Sequence, residues 1–225
     1  MMKKVFFLVF VFWGISCFSQ KDSLQLGDRY LEDQLYMNIS YNVLTKQPST
    51  VGSSGFSYGV SAGYIKDIPL NRRGNYAFGV GLGYNYDSFN HGLRLVENNG
   101  GISFQVDSQS TSNVLRLHNI ELPIQFRWRT SDAVTYSFWR VYAGMVVRYN
   151  FYNGFTNTLN GTTTRLTNVD NYNKWQTALT LSAGYGTFNF YVSYGISPMF
   201  TSGATLNGEA INSKILKIGL SFYLL

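Results

Sequence analysis

The sequence predicts an all-β protein, a transmembrane antiparallel up-and-down β-barrel of eight strands. Three observations lead there: alternating apolar and polar residues in eight segments, a very low charge content, and connections that alternate between long and short. In the first segment Leu35, Met37, Ile39, Tyr41 and Val43 are apolar, whereas Tyr36, Asn38, Ser40 and Asn42 between them are polar. A strand sends successive side chains to opposite faces, so one face of this segment is oily and the other is not. A soluble sandwich shows the same period but charges its solvent face. Here only 13% of the chain is charged, against about 25% in a soluble domain. Small uncharged residues inside and aromatic residues outside are what a closed barrel in lipid requires.

Residues 1–19 read as a secretory signal. Lys3 and Lys4 form the basic start, Val5 to Ile15 the apolar stretch, and Cys17 and Ser19 the small residues before a cut between Ser19 and Gln20. The apolar stretch is short of the ~20 residues a membrane-spanning helix needs. Lipidation at Cys17 is the alternative fate, but Gly14 stands where a lipidated Cys usually has a leucine. Cleavage removes two of 18 basic residues and none of the 12 acids, leaving 16 minus 12, or +4. Residues 20–33 form a polar periplasmic lead, and 34–225 the barrel.

The strands follow in order. The first covers 34–44 and is followed by a loop at 45–54 containing Pro48 and Gly52. The second puts Phe56, Tyr58, Val60, Ala62 and Tyr64 outward and Ser57, Gly59, Ser61 and Gly63 inward, with residues 66–75 turning the chain. In the third, Tyr76, Phe78, Val80, Leu82, Tyr84 and Tyr86 face out; Ala77, Gly79, Gly81, Gly83, Asn85 and Asp87 face in. Residues 88–113 are the longest connection and hold a small hairpin at 93–106. The fourth strand places Ile120, Leu122, Ile124, Phe126 and Trp128 outside, and Asn119, Glu121, Gln125, Arg127 and Arg129 inside.

After a short turn at 130–135, the fifth strand has Trp139, Val141, Ala143, Met145, Val147, Tyr149 and Phe151 outside. Arg140, Tyr142, Gly144, Arg148 and Asn150 lie inside. Residues 153–172 are the second long loop. The sixth strand turns Trp175, Thr177, Leu179, Leu181 and Ala183 outward, and Gly186 with Thr187 makes a tight turn into the seventh, with Phe190, Val192, Tyr194 and Ile196. A third loop at 198–212 leads to the last strand, with Leu216, Ile218, Leu220, Phe222 and Leu224.

Connections after odd strands are long and those after even strands are short. Outer-membrane barrels have short periplasmic turns and longer extracellular loops, so both termini are placed in the periplasm. Trp128 and Trp139 then sit at the periplasmic interface and Trp175 at the extracellular one, where amphipathic rings prefer to lie. His118 shares the outward register with Arg116 at the headgroup level.

Two segments resemble known outer-membrane patterns. The final stretch, with Lys217, Gly219, Phe222 and Leu224, resembles the C-terminal assembly signal read by the outer-membrane assembly machinery, although Leu225 rather than an aromatic ends the chain. The run Asn119-Ile120-Glu121-Leu122-Pro123-Ile124 with Arg127 resembles the "E-[IVL]-P" strand of PorT-like outer-membrane barrels, and the aromatic-rich strand ending Tyr142-Ala143-Gly144 fits the same family. That resemblance implies an outer-membrane barrel, and a role in protein secretion for some members.

Chemistry-bearing groups are few. No catalytic residue, cofactor site or metal site is expected: Cys17 leaves with the signal and only two His occur. Gly79-Val80-Gly81-Leu82-Gly83 continues as a strand, so it makes room in a narrow lumen and is no phosphate loop. Asp87, Ser88 and His91 gather near one rim and read as solvated groups. Basic residues are scattered singly, which argues against nucleic acid. The lumen charges are Glu121, Arg127, Arg140 and Arg148, with Lys174 and Lys217 peripheral. Folding the turn near Ala133 sets Glu121 diagonal to Arg148 and Arg127 opposite Arg140, two arginines with one carboxylate, leaving room for an anion, water or the acidic lead. The expected function is interaction: an accessory or surface component of the outer membrane, in contact with its lipid and with protein partners such as a secretion complex. The alternatives are a narrow channel or ligand-binding barrel and, third, an enzyme.

Overall fold

The computed structural model describes residues 33–48, 50–51, 55–98, 101–106, 110–130 and 139–224. The signal, the lead up to Glu32 and the turn after Thr130 lie outside the described residues. The elements are strands throughout: Gln34–Thr45 (β1), Tyr58–Pro69 (β2), Tyr76–Asn90 (β3), Leu93–Asn98 (β4), Gly101–Val106 (β5), Ser110–Arg129 (β6) and Trp139–Leu159 (β7). Then come Thr162–Thr167 (β8), Trp175–Tyr185 (β9), Phe188–Gly195 (β10), Thr205–Leu206 (β11), Glu209–Ala210 (β12) and Lys214–Leu224 (β13).

Eight of these strands pair antiparallel in the order β6-β3-β2-β1-β13-β10-β9-β7, and β6 pairs with β7 to close the barrel. Closure satisfies the edge groups that lipid cannot. The alternating pattern decides the faces. Along β1 the even residues Gln34, Tyr36, Asn38, Ser40 and Asn42 are buried, while Leu35, Met37, Ile39 and Tyr41 are exposed. β3, β10 and β13 keep the same rule. The exposed aliphatic and aromatic wall is the lipid-facing surface.

The wall has a measurable height. Tyr76 and Tyr86 on β3, Trp128 and His118 on β6, Trp139 and Tyr149 on β7, and Tyr185 and Trp175 on β9 are each ten residues apart (86 less 76, and so on). At ~3.4 Å per residue and a tilt of ~40° that is about 26 Å, the height of an apolar band. Trp128 and Trp139 lie at the short-turn end, Trp175 at the opposite, long-loop end. Trp175 packs on Tyr149 with ring centroids 4.8 Å apart, and Trp139 on Tyr185 at 5.5 Å.

Three features depart from the sequence reading. β2 continues to Pro69 instead of turning at residue 66, which carries Asp67 inward to full burial. Two of the long connections are in part extensions of the barrel wall. β6 starts at Ser110 and β7 runs on to Leu159, where Asn160 and Gly161, both with positive φ (48° and 78°), turn the chain into β8. Two successive left-handed residues make the hairpin turn that matches strand twist, and Asn-Gly is its preferred pair. The third is a register break: His118 pairs with Tyr152 but Asn119 pairs with Asn150, so β7 carries one extra residue. Below this bulge odd β7 residues face out; above it even ones do, and Asn153, Phe155 and Asn157 point inward.

Candidate functional site

The interior has two storeys. The lower one, inside the apolar band, is polar and arranged in three ion-paired levels. Nearest the short-turn end, Asp67 receives Arg127 Nη1 on Oδ1 at 2.9 Å and Arg129 Nη2 on Oδ2 at 2.7 Å, with all three side chains fully buried. Arg127 also donates to Gln34 Oε1 at 3.1 Å, and its guanidinium lies 4.7 Å from the centre of the Tyr142 ring. Arg140 donates to the Gly186 carbonyl at 2.8 Å. At mid-height Glu121 accepts from Tyr36 Oη at 2.8 Å and from Arg148 Nε at 3.1 Å. The upper level joins Lys217 Nζ to both Asp87 oxygens at 2.7 Å, with Asn42 Nδ2 donating to Oδ1 at 2.8 Å. Ser221 Oγ to Asn38 Oδ1 (2.6 Å) and Asn38 Nδ2 to Ser61 Oγ (2.9 Å) are among the bonds that fill the space between.

Glycines make this packing possible. A Cβ on Gly83 would come 2.0 Å from Tyr36 Oη, and one on Gly79 would come 2.7 Å from Arg127 Nε. Gly79 and Gly83 therefore leave space for lumen side chains, as their place in a strand implies, while Gly81 also lets the Tyr64 carbonyl approach. Gly219 is different. Its Cβ would meet the Ile39 carbonyl oxygen at 2.0 Å, backbone that cannot yield, at the seam where first and last strands pair. The other residues of the C-terminal pattern divide by face. Lys217 is the buried cation of the upper pair, Phe222 packs on Phe188 at 5.3 Å, and Leu224 is exposed on the wall.

The arginine pairing expected from the sequence needs correction. Arg127 stands opposite Tyr142, and it is Arg129 that faces Arg140; Glu121 is directly opposite Arg148, not diagonal to it. The observed β6–β7 register differs from the assumed one by two positions in pairing. Such a slip leaves every side chain on its original face, so the faces come out right and the partners wrong. Glu121 therefore does not neutralise Arg127; Asp67 does. Lys174 is exposed and takes no part in the lumen. Asp87, Ser88 and His91 are not solvated, as the sequence suggested, but buried: Asp87 is engaged by Lys217, and His91 Nδ1 accepts from the Leu93 amide at 3.2 Å.

The upper storey is apolar, and the sequence reading missed it. On five strands the inward residue changes type just above the Asp87–Lys217 pair. Asn42 is followed by Leu44, Asp87 by Phe89, Asn119 by Leu117 and Leu115, Asn153 by Phe155, and Lys217 by Ile215. Leu93 and Leu95 of β4, Phe104 of β5, Val169 and Tyr172, and Met199, Phe200 and Ile211 of the last connection fold over them to form one cluster. Burial in this cap pushes the His91 imidazole down to about 4, since a dry site disfavours its charged form. The signal was present: Leu115 and Leu117 share the parity of Glu121, so the apolar residues had already crossed to the inward face.

Among solved structures, the chain is similar to the N-terminal β-barrel domain of Pseudomonas aeruginosa OprF, at 12% identity over 87% of this chain and 100% of that one, with a TM-score of 0.32. It is similar to the attachment invasion locus protein Ail of Yersinia pestis at 11% identity, 86% and 99% coverage and a TM-score of 0.34. Ail in complex with the heparin analogue sucrose octasulfate gives 12% identity, the same coverage and 0.36. No curated protein sequence matches the chain. Residues 18–201 match the family model described as outer membrane protein beta-barrel domain. An exposed apolar wall about 26 Å high around a polar, ion-paired interior accords with that match: the chain belongs to the outer membrane protein beta-barrel domain family.

Proposed function

We propose that this outer-membrane barrel acts by interaction. It is exported by a cleaved signal, has both termini in the periplasm, and presents its cap at the cell surface as an accessory component of a protein complex, with PorT-like protein secretion as the specific candidate. One observation carries the reading: the described interior is occupied by buried side chains at both ends, ion pairs below and the apolar cluster above. A barrel of eight strands is only wide enough for its own side chains, so what it offers to other molecules is its outer surface and loops. The orientation is supported by the long-loop end, where β4, β5 and β8 gather; function concentrates on such segments of a rigid scaffold. A narrow channel or small-ligand barrel is the second reading, favoured by the lumen's charge: five buried bases against three buried acids among the described residues. An enzyme is not proposed, and the reading needs no cofactor or nucleic acid.

Crosslinking in native membranes tests the reading. A photoreactive side chain at Thr163, exposed on β8, should yield a discrete protein adduct; one at Leu122 on the wall should yield lipid adducts only. Lipid-only or no adducts from Thr163 and from other cap positions contradict an interaction role.

A further inference from the structure

The bulge between β6 and β7 builds a second feature, on the outer wall at the upper limit of the apolar band. Because one β7 residue is extra there, Phe151 and Tyr152 both stand beside the His118 ring, with centroids 6.2 and 5.2 Å away. Tyr86 at 5.1 Å and Tyr84 at 6.1 Å enclose the other side. The Tyr84 hydroxyl lies 2.5 Å from His118 Nδ1. With the phenol as donor, the ring hydrogen sits on Nε2. The Tyr152 ring folds over Gly154, where a Cβ would lie 2.9 Å from Oη, and Oη accepts from Arg165 Nη2 of β8. Arg116 of β6 is exposed and pairs across from Gly154, so Tyr152 is flanked by an arginine on each neighbouring strand. No carboxylate occurs among the described outward positions of β3, β6, β7 and β8 from Tyr84 upward.

We infer that Arg116, Arg165 and His118 form a binding site for the phosphate of a membrane-lipid headgroup. The register places the two arginines and His118 on one patch of the outer wall around Tyr152, and arginine suits phosphate because its planar donors match paired oxygens and it is weakly hydrated. The position selects a lipid over a free anion. Directly below, Ile120, Leu122 and Tyr149 are exposed on the wall, so acyl chains attached to a phosphate held here would lie on apolar surface without a gap. Bulges re-aim side chains at sites of this kind, and without this one Tyr152 would point into the barrel. The inference rests on the wall being embedded in a bilayer.

Native mass spectrometry on the purified full-length barrel tests it, with diphosphorylated lipid A and its dephosphorylated form as probes. Wild-type protein should retain the phosphorylated lipid at least tenfold better. Arg116→Gln with Arg165→Gln should lose that preference, while Lys66→Gln with Arg72→Gln at the opposite rim should keep it. Both pairs replace exposed side chains, and a heat-dependent gel shift reports that the barrel is folded. A preference that survives in the Arg116/Arg165 variant overturns the site, as does equal binding of both lipids by a wild type that inserts into liposomes. A barrel that fails to insert removes the membrane reading and the site with it. Inorganic phosphate at equal concentration should not displace the lipid; displacement would mean an anion site that ignores the lipid.

Discussion

The two storeys of the interior are walled by the same strands and obey opposite rules. Below the Asp87–Lys217 pair the inward residues are mostly Asn, Ser, Gln, Tyr and paired charges; above it they are mostly Phe, Leu and Ile, with Asn113, Asn157 and His91 as buried polar exceptions. The surroundings account for the inversion. Within the apolar band the wall's outer face is already satisfied by lipid, so the lumen needs only to be filled and its polar groups paired. Above the band the outer face meets water. Stability there depends on burying apolar side chains inside, as in any soluble domain. The difference teaches that lumen stability depends on charge pairing and cap stability on volume, and each can be removed without the other.

The largest expected effect comes from the lumen. Asp67→Asn leaves Arg127 and Arg129, both fully buried, without their carboxylate. Removing one partner of a buried pair costs roughly 3–5 kcal/mol. The unfolding midpoint of the refolded barrel should fall accordingly, while Lys66→Gln, which removes only the exposed partner of Asp33, should shift it by less than ~1 kcal/mol. Equal effects from the two would mean that the buried cluster does not hold the wall together.

Leu117→Ala comes next. Its side chain is fully buried in the cap, and a cavity of that size costs about 3 kcal/mol. Hydrogen exchange should show the loss in β4, β5 and the last connection, with the strands of the apolar band unchanged. If protection falls equally throughout, the two storeys are one cooperative unit and the comparison fails.

A smaller effect separates the storeys by pH. His91 is held neutral in the cap down to about 4, whereas an unfolded His titrates near 6.5. Between those values the unfolded cap takes up a proton that the folded cap refuses, so its stability is intact above pH ~6.5 and declines as pH falls toward 4. At pH 5 the loss is about 2 kcal/mol by that linkage. Exchange of cap amides should accelerate at pH 5 after correction for intrinsic rates, and His91→Phe should abolish the acceleration. An unchanged pH response in His91→Phe assigns the effect to another group.

Much of this was legible in the sequence, because a period of two is unambiguous wherever one face is oily. The strand faces, the eight-strand count, the hairpin at 93–106 and the inward place of Glu121 and Arg148 all follow from parity. Pairing was not legible. Parity is blind to a slip of two residues, which is why Arg129 rather than Arg127 faces Arg140. Asp67 was lost because charges around Pro69 resemble a turn, although Ile65 and Asp67 continue inward while Tyr64, Lys66 and Ile68 point out. The cap was lost for the reason that makes it instructive. The chain there reverses which face is apolar, and Arg116 and His118 outward with Leu115 and Leu117 inward were the residues that announced it.

The most direct test of the central claim, a barrel sealed by ion pairs below and apolar packing above, is conductance of the purified wild-type protein across a planar bilayer. The account predicts no steady current at moderate voltage in wild type, in Leu117→Ala, or in a variant lacking β4 and β5, because the lumen levels remain filled in each. A steady, ion-selective current from the wild-type protein would contradict it.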